Sequence, residues 1–222
     1  MAGSRSVGLV AVGVDRTPGL TTLTGAASGA KDVVKWLEEN QVPLGVTVTC
    51  KLITEEALGR GVSARDVRDA AQAFVKDNDV DVLILYFAAH GVIKSVGEEH
   101  VLLTDVSTYN NEAINIALTA ENARTCGIGH IVIISDACRT PVVVGGPLDQ
   151  VNGIAAVSSG SIVGGKKAPV DVFYATEPTR PAIEADGVGF FTDIMLKILA
   201  DCPRDICAHS ITHNSPRHPS HA

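Results

Sequence analysis

Short runs of β-branched and other apolar residues alternate along the chain with stretches whose apolar positions recur at helical spacing, the pattern of a parallel sheet covered by helices. The fold class expected is therefore α/β. A first strand runs from Val7 to Val14 and stops at Asp15-Arg16-Thr17-Pro18-Gly19, where proline and glycine break it. Ala30, Val33, Val34 and Leu37 make one apolar stripe, opposite Lys31, Asp32, Lys35, Glu38 and Glu39, which predicts a helix over Ala27 to Asn40. Val46 to Ile53 reads as strand two. Ser63 is placed to cap a helix striped by Val67, Ala70, Ala71, Phe74 and Val75 and ending near Lys76. Strand three, Val80 to Ala88, and strand four, Ile128 to Ser135, are almost unbroken apolar runs, as expected of strands buried on both faces, and they should form the sheet centre. Between them lie a polar excursion with Glu98-Glu99-His100, a small hairpin around Val101 to Leu103, and a short helix over Ala117 to Thr125. Val170 to Ala175 is a fifth strand and Gly189 to Leu199 a final helix.

Two segments break the alternation. Thr140 to Pro169 is glycine-rich with few helical signals and reads as a long surface connection. Beyond Asp201 the periodicity vanishes into a tail carrying His209, His213, His218 and His221, expected to be frayed. At 222 residues the chain fits one ordinary domain with at most an appendage, and its apolar share of 45% is enough to bury a real core. Acidic residues outnumber basic ones to give a net charge of −7, and Lys166-Lys167 is the longest basic cluster, so a nucleic-acid backbone is excluded as a primary ligand. The apolar start is broken by Asp15 and Arg16, too short for a membrane span or a secretory leader, which points to a cytoplasmic protein without a membrane partner. Five scattered cysteines, Cys50, Cys126, Cys138, Cys202 and Cys207, do not form a disulfide framework and leave at least one thiol free for chemistry.

Open parallel sheets gather their chemistry at the carboxyl ends of the strands. Strand three delivers His90 there, and strand four delivers Cys138 forty-eight positions later. If the two strands are adjacent, a nucleophile and a base meet at one sheet edge. A thiol with an ordinary pKa near ~8.5 needs such a base or a positive field to present a thiolate at neutral pH.

The segments Leu83 to Gly91, ending Phe-Ala-Ala-His-Gly, and Ile131 to Arg139, ending Ser-Asp-Ala-Cys-Arg, resemble the two catalytic motifs of the caspase-like cysteine peptidases, the clan of caspases, metacaspases and paracaspases. Asp136 stands where the caspase signature has Gln, and Thr140 where it has Gly. A third stretch, Phe173 to Pro178 with Ala182-Ile183-Glu184 and Gly189 to Thr192, is similar to the small-subunit segment of prokaryotic members. The resemblance covers Gly8 to about Ala200. It implies a three-layer α/β/α sandwich: a peptidase domain over 1–200, large-subunit-like to 139, a connection over 140–169, a small-subunit-like part over 170–200, and an atypical tail over 201–222.

By that resemblance Cys138 is the nucleophile, His90 the base, and the backbone N–H groups of Gly91 and Cys138 the oxyanion hole, Gly91 being required because a side chain would crowd the substrate. Asp136 follows the metacaspase and paracaspase pattern that binds Arg or Lys before the scissile bond. The second acid of metacaspases is replaced by Gly29, and Asp15 is the candidate substitute. Lys166 and Lys167 are candidate self-cleavage sites within the connection. The substrate implied is a protein or peptide, and the family leaves room for a regulatory partner or an additional domain. No cofactor is implied; calcium activation occurs in the family, but no site for it is identified in this sequence.

Other constellations are weaker. Gly160 to Lys167 nearly spells a phosphate-binding loop, but Lys167 stands where Ser or Thr should bind magnesium and Ala168-Pro169 replaces the required helix. Cys202, Cys207, His209 and His213 are zinc ligands in type, with a spacing that fits no common finger. The glycines of Gly145-Gly146 and Gly25 to Gly29 lack a dinucleotide pattern. His100, His130 and Cys126 read as structural. The second functional class is an idle interaction module of the same fold; retention of both His90 and Cys138 favours the peptidase.

Overall fold

The computed structural model describes residues 4–77, 79–160, 167–180, 182, 184–185 and 188–201. The tail cysteines and histidines and Lys166 lie outside the described residues. A five-stranded sheet is built from β1 (Arg5–Gly13), β2 (Val46–Thr54), β3 (Val82–Ala89), β7 (His130–Ala137) and β9 (Val170–Tyr174), in the order β2-β1-β3-β7-β9 with every pairing parallel. Its centre is β3, flanked by β1 and β7, so the two longest apolar runs are neighbours although only the first is the central strand.

The period-two alternation of these strands feeds both faces. From β1, Leu9 and Ala11 point to one layer, where α1 (Ala26–Leu44) buries Ala30, Val33 and Leu37 and α5 (Phe190–Asp201) adds Met195 and Leu196. Val10 and Val12 point the other way, with Leu83, Leu85, Phe87, Ile131 and Ile133, onto α3 (Ala64–Asp77) and α4 (Ile116–Ala123). Each fully buried Leu, Ile or Phe here contributes about 1.5–3 kcal/mol of transfer free energy. That makes an α/β/α sandwich. No described helix is long and apolar enough to cross a membrane.

The elements differ from the sequence expectation in four places, each for an identifiable reason. Helix α1 continues past Asn40 to Leu44, with Pro43 in its last turn, and ends where Gly45 turns left-handed and its N–H closes that turn onto the carbonyls of Gln41 and Val42. A one-turn helix, α2 (Glu55–Leu58), follows β2, capped by Thr54 Oγ1 accepting from the Ala57 N–H at 3.1 Å. The expected cap of α3 is present as a reciprocal pair: Ser63 Oγ accepts from Asp66 N, and Asp66 Oδ2 accepts from Ser63 N. The small hairpin is part of a second sheet, ordered β6-β5-β4-β8, of β4 (Gly91–Ile93), β5 (Glu99–Leu102), β6 (Ala113–Asn115) and β8 (Thr140–Pro141). Its strands have two to four residues, too few for a period to register.

The fourth correction concerns the connection after Cys138. It is not all surface: Val151, Ala155, Ala156 and Val157 are buried, and Ile154 exchanges backbone hydrogen bonds with Ala113 and Asn115 beside β6. Gly153 serves close packing there, since a Cβ would lie 2.8 Å from both the Ala113 carbonyl and His100 Nδ1. The remaining β10 (Glu184–Ala185) and β11 (Val188–Gly189) pair antiparallel ahead of α5.

His100, on β5, is 1% exposed, and its Nδ1 accepts the Gly153 N–H at 3.3 Å. Burial pushes the imidazole below its ordinary 6.5, partly opposed by the Glu98 carboxylate. Between the folded value and 6.5 the unfolded chain binds the extra proton, so stability falls as pH drops through that window. The denaturation midpoint is therefore expected to be lower at about pH 5.5 than at neutrality, with a smaller difference in His100→Gln; identical pH dependence in the two proteins would refute this.

Candidate active site

The register of the central sheet sets the site. Ala89 of β3 stands opposite Ala137 of β7, so the next residues, His90 and Cys138, leave adjacent parallel strands side by side at their carboxyl edge. Neighbouring strands are about 4.8 Å apart, within reach of two side chains. Past these residues the two chain segments stay together: Val92 and Ile93 of β4 pair with Thr140 and Pro141 of β8. His90 and Cys138 line one cleft of about 200 Å³, with Leu23, Asp136, Ala182 and Gly189 among its walls.

His90 Nε2 lies 2.6 Å from the carbonyl oxygen of Thr21, in the segment after β1. A carbonyl only accepts, so Nε2 carries a hydrogen, and in the neutral ring Nδ1 is the nitrogen left as acceptor. This orienting group left no trace in the sequence, because a backbone oxygen has no side-chain signature. Cys138 is partly exposed, and its Sγ accepts the Ala182 N–H at 3.1 Å. The segment bearing Ala182 is fastened to the residue after Cys138: Thr179 N donates to the Arg139 carbonyl at 2.9 Å and Arg139 N to the Arg180 carbonyl at 3.1 Å. Thr179 adopts φ 71°, rare for a β-branched residue. The other described thiols are poorly suited to attack, since burial and Glu38 push Cys50 up to about 11 and burial also raises Cys126.

The fold itself gives a reason for glycine at position 91. A Cβ there would lie 2.3 Å from the Cys138 carbonyl oxygen and 3.0 Å from Ala137 Cβ, so glycine lets β4 cross directly beside the Cys138 backbone. Gly91→Ala must push the two strand ends apart, and a loss of about 10²-fold in any Cys138-dependent hydrolysis is expected, measurable as kcat/KM; wild-type turnover in a folded variant would contradict the close approach.

Asp136 is the penultimate residue of β7, 7% exposed, at the base of the cleft. Its Oδ2 accepts Thr192 Oγ1 at 2.5 Å and Thr192 N at 3.3 Å, the latter a first-turn donor of α5. Thr192 Oγ1 in turn lies 2.6 Å from Tyr86 Oη, whose proton burial retains by raising the phenol well above its ordinary value. A Cβ on Gly189 would sit 2.2 Å from Asp136 Oδ2, so that glycine too is dictated by a close approach.

Asp15 is not in this cleft. Its Oδ1 accepts the N–H groups of Ala26 and Ala27 at the start of α1, and it lines a neighbouring hollow of about 500 Å³ with Arg16, Glu55 and Glu56; Leu23 borders both spaces. Lys167 reaches Glu121 at 3.1 Å on the surface. His130 begins β7, at the opposite edge of the sheet from Cys138, and pairs with Asp171 at 2.8 Å. Among the described residues no group of three His, Cys, Asp or Glu side chains is arranged to hold a metal ion.

The family model of the caspase domain matches residues 10–211. No curated protein matches the chain in sequence. Among solved structures, a structural-genomics protein from Geobacter sulfurreducens is similar with a TM-score of 0.56 and 13% identity, over 89% of this chain and 82% of its own. Caspase-1 from Spodoptera frugiperda is similar with a TM-score of 0.55 and 14% identity, over 89% of this chain and 71% of its own. At those identities the likeness is one of fold.

Proposed function

The chain belongs to the caspase-domain family of cysteine peptidases, and from that premise we propose that it is an active endopeptidase working through a Cys138–His90 dyad, cleaving after Arg or Lys. The observation that carries this reading is the Ala89–Ala137 register, which brings a histidine and a partly exposed cysteine into one cleft. In this scheme His90 Nδ1 takes the thiol proton and Sγ attacks the peptide carbonyl carbon. Charge builds on the carbonyl oxygen, facing the backbone N–H groups of Gly91 and Cys138. The leaving amine takes the proton from His90 as the C–N bond breaks, leaving a thioester. Water, deprotonated by His90, then hydrolyses the thioester and restores the thiol. The chemistry needs no cofactor.

Asp136 supports the basic preference, as a carboxylate at the base of the cleft that attracts guanidinium and repels acidic side chains. Hydrolysis of a positional peptide library, with and without Cys138→Ala, tests the whole reading. Cys138-dependent cleavage with Arg or Lys before the scissile bond is expected; a protein that cleaves nothing and whose Cys138 reacts with iodoacetamide no faster than free cysteine would instead be an idle interaction module.

We further propose self-processing after Lys166 or Lys167. Lys167 is half exposed, and its side chain is held by a surface ion pair with Glu121 worth at most ~1 kcal/mol; entry of the 167–168 bond into a second molecule's cleft must also break the Ala168 N–H bond to the Arg124 carbonyl at 2.8 Å. Mass spectrometry of the incubated protein should find that cut, and should not find it in Cys138→Ala; an intact chain in an active preparation would make the enzyme a single-chain peptidase.

A further inference from the structure

The residue after the nucleophile is buried and carries a charge that hydrolysis itself does not use. The Arg139 and Glu99 side chains form an ion pair and are only 12% and 6% exposed. Arg139 Nη1 also donates to the Thr176 carbonyl at 3.2 Å, and the guanidinium lies 4.2 Å from the centre of the Tyr174 ring. Glu99 Oε2 accepts from the Tyr174 hydroxyl at 3.3 Å. That phenol, pushed up to about 12 by burial and by Glu99, stays a donor throughout the physiological range. Arg139 Nε finds no acceptor among the described residues. A guanidinium withdrawn from water needs its counter-charge beside it, which holds this side chain opposite Glu99.

That position joins the two halves of the site. Glu99 stands on β5, paired with Ile93 of β4, and β4 begins at Gly91 immediately after His90. Leu102 N donates to the His90 carbonyl at 2.8 Å, so the hairpin carrying Glu99 also holds the backbone of the histidine. Arg139 follows Cys138 directly, and its own N–H and carbonyl are bonded to the segment that places Ala182 against Sγ. The ion pair therefore ties together the hairpin behind His90, the turn behind Cys138 and, through Tyr174 and Thr176, the end of β9. We propose that Arg139 and Glu99 are positioning residues, a buried clamp that fixes Cys138 and its backbone N–H against His90. This rests on the dyad reading.

The test uses Glu99→Gln, which keeps the shape and removes the charge, Arg139→Lys, which keeps the charge and removes the planar fork, and the apolar double variant Glu99→Leu/Arg139→Met. Three quantities are read: the thermal midpoint, kcat and KM on a fluorogenic arginyl peptide amide, and the pH profile of Cys138 alkylation by iodoacetamide, which needs no peptidase activity. With Glu99→Gln, kcat should fall about tenfold or more with KM within about twofold, and the alkylation profile should move, because the thiol no longer holds its place beside the base. Arg139→Lys, which keeps the charge opposite Glu99, should lose less than Glu99→Gln. The double variant has no buried charge left to strand, so it should regain the thermal midpoint without regaining kcat. Wild-type kcat and alkylation in folded Glu99→Gln, or recovery of kcat by the double variant, would reduce the pair to a stability element and overturn the proposal. Should Glu99→Gln fail to fold, Arg139→Lys and the double variant decide on the same criteria. Absence of any Cys138-dependent hydrolysis in the wild-type protein would defeat the peptidase reading instead, and the alkylation profiles would then decide the clamp alone.

Discussion

Replacing Cys138 by alanine is expected to remove hydrolysis by about 10³-fold or more, and His90→Ala to do nearly the same, because a nucleophile and its base act as one unit. The double variant should be little worse than either single one, which independent contributions would not produce. His90 is held by the Thr21 carbonyl through Nε2, so His90→Gln keeps a polar side chain near that carbonyl yet has no basic nitrogen to take the thiol proton. It should be as inactive as His90→Ala. Neither position lies in the buried core, and the variants should unfold at denaturant concentrations close to that of the parent. Steady-state turnover on an arginyl peptide amide, alongside equilibrium unfolding, checks both statements. Parental turnover in a folded Cys138→Ala protein would end the dyad assignment.

How much of this was legible in the sequence depends on which physical signal each feature leaves. The strands β3 and β7 were readable because burial on both faces leaves unbroken apolar runs, and the end of each run located His90 and Cys138. Those same runs put the two strands together at the sheet centre, where they do pair; the order of the remaining strands was not legible, because an α/β pattern sets the class whereas strand order is decided by how helices close over the faces. The second sheet was invisible because its strands are too short for alternation to emerge from noise. The buried strap at Val151 to Val157 was misread as surface because Gly153, which signals flexibility in isolation, is there to admit His100 and the Ala113 carbonyl. Arg139 looked like a motif residue beside the nucleophile, and nothing in its neighbours disclosed that its counter-charge would come from Glu99, forty residues earlier. Such a pairing becomes apparent only once β4 and β8 are known to run together.

The basic preference proposed above rests on Asp136, and replacing that residue tests it. Asparagine at this position is nearly isosteric, and its carbonyl oxygen can still accept the Thr192 Oγ1 and N–H groups, so Asp136→Asn should keep the base of the cleft in shape while removing its charge. A substrate guanidinium reaching into a cleft walled by Leu23, Ala182 and Gly189 gives up much of its hydration, and without a carboxylate there it is left unpaired. A truncated partner in a desolvated charge pair costs about 2–5 kcal/mol, so kcat/KM for peptides with Arg or Lys before the scissile bond should fall about 10²-fold or more. Peptides with an uncharged residue at that place have no charge to strand and should change by less than about tenfold. Relief of the repulsion should also raise the small rate on peptides with aspartate there, narrowing the basic-over-acidic ratio from the acidic side. Parallel assays on three peptides that differ only in that residue separate these effects from a general loss of activity, which would lower all three together. Preferential cleavage after aspartate by the wild-type protein, or an unchanged arginine-to-aspartate ratio in a folded Asp136→Asn variant, would mean that the carboxylate serves Thr192 and the first turn of α5 alone, with specificity set elsewhere.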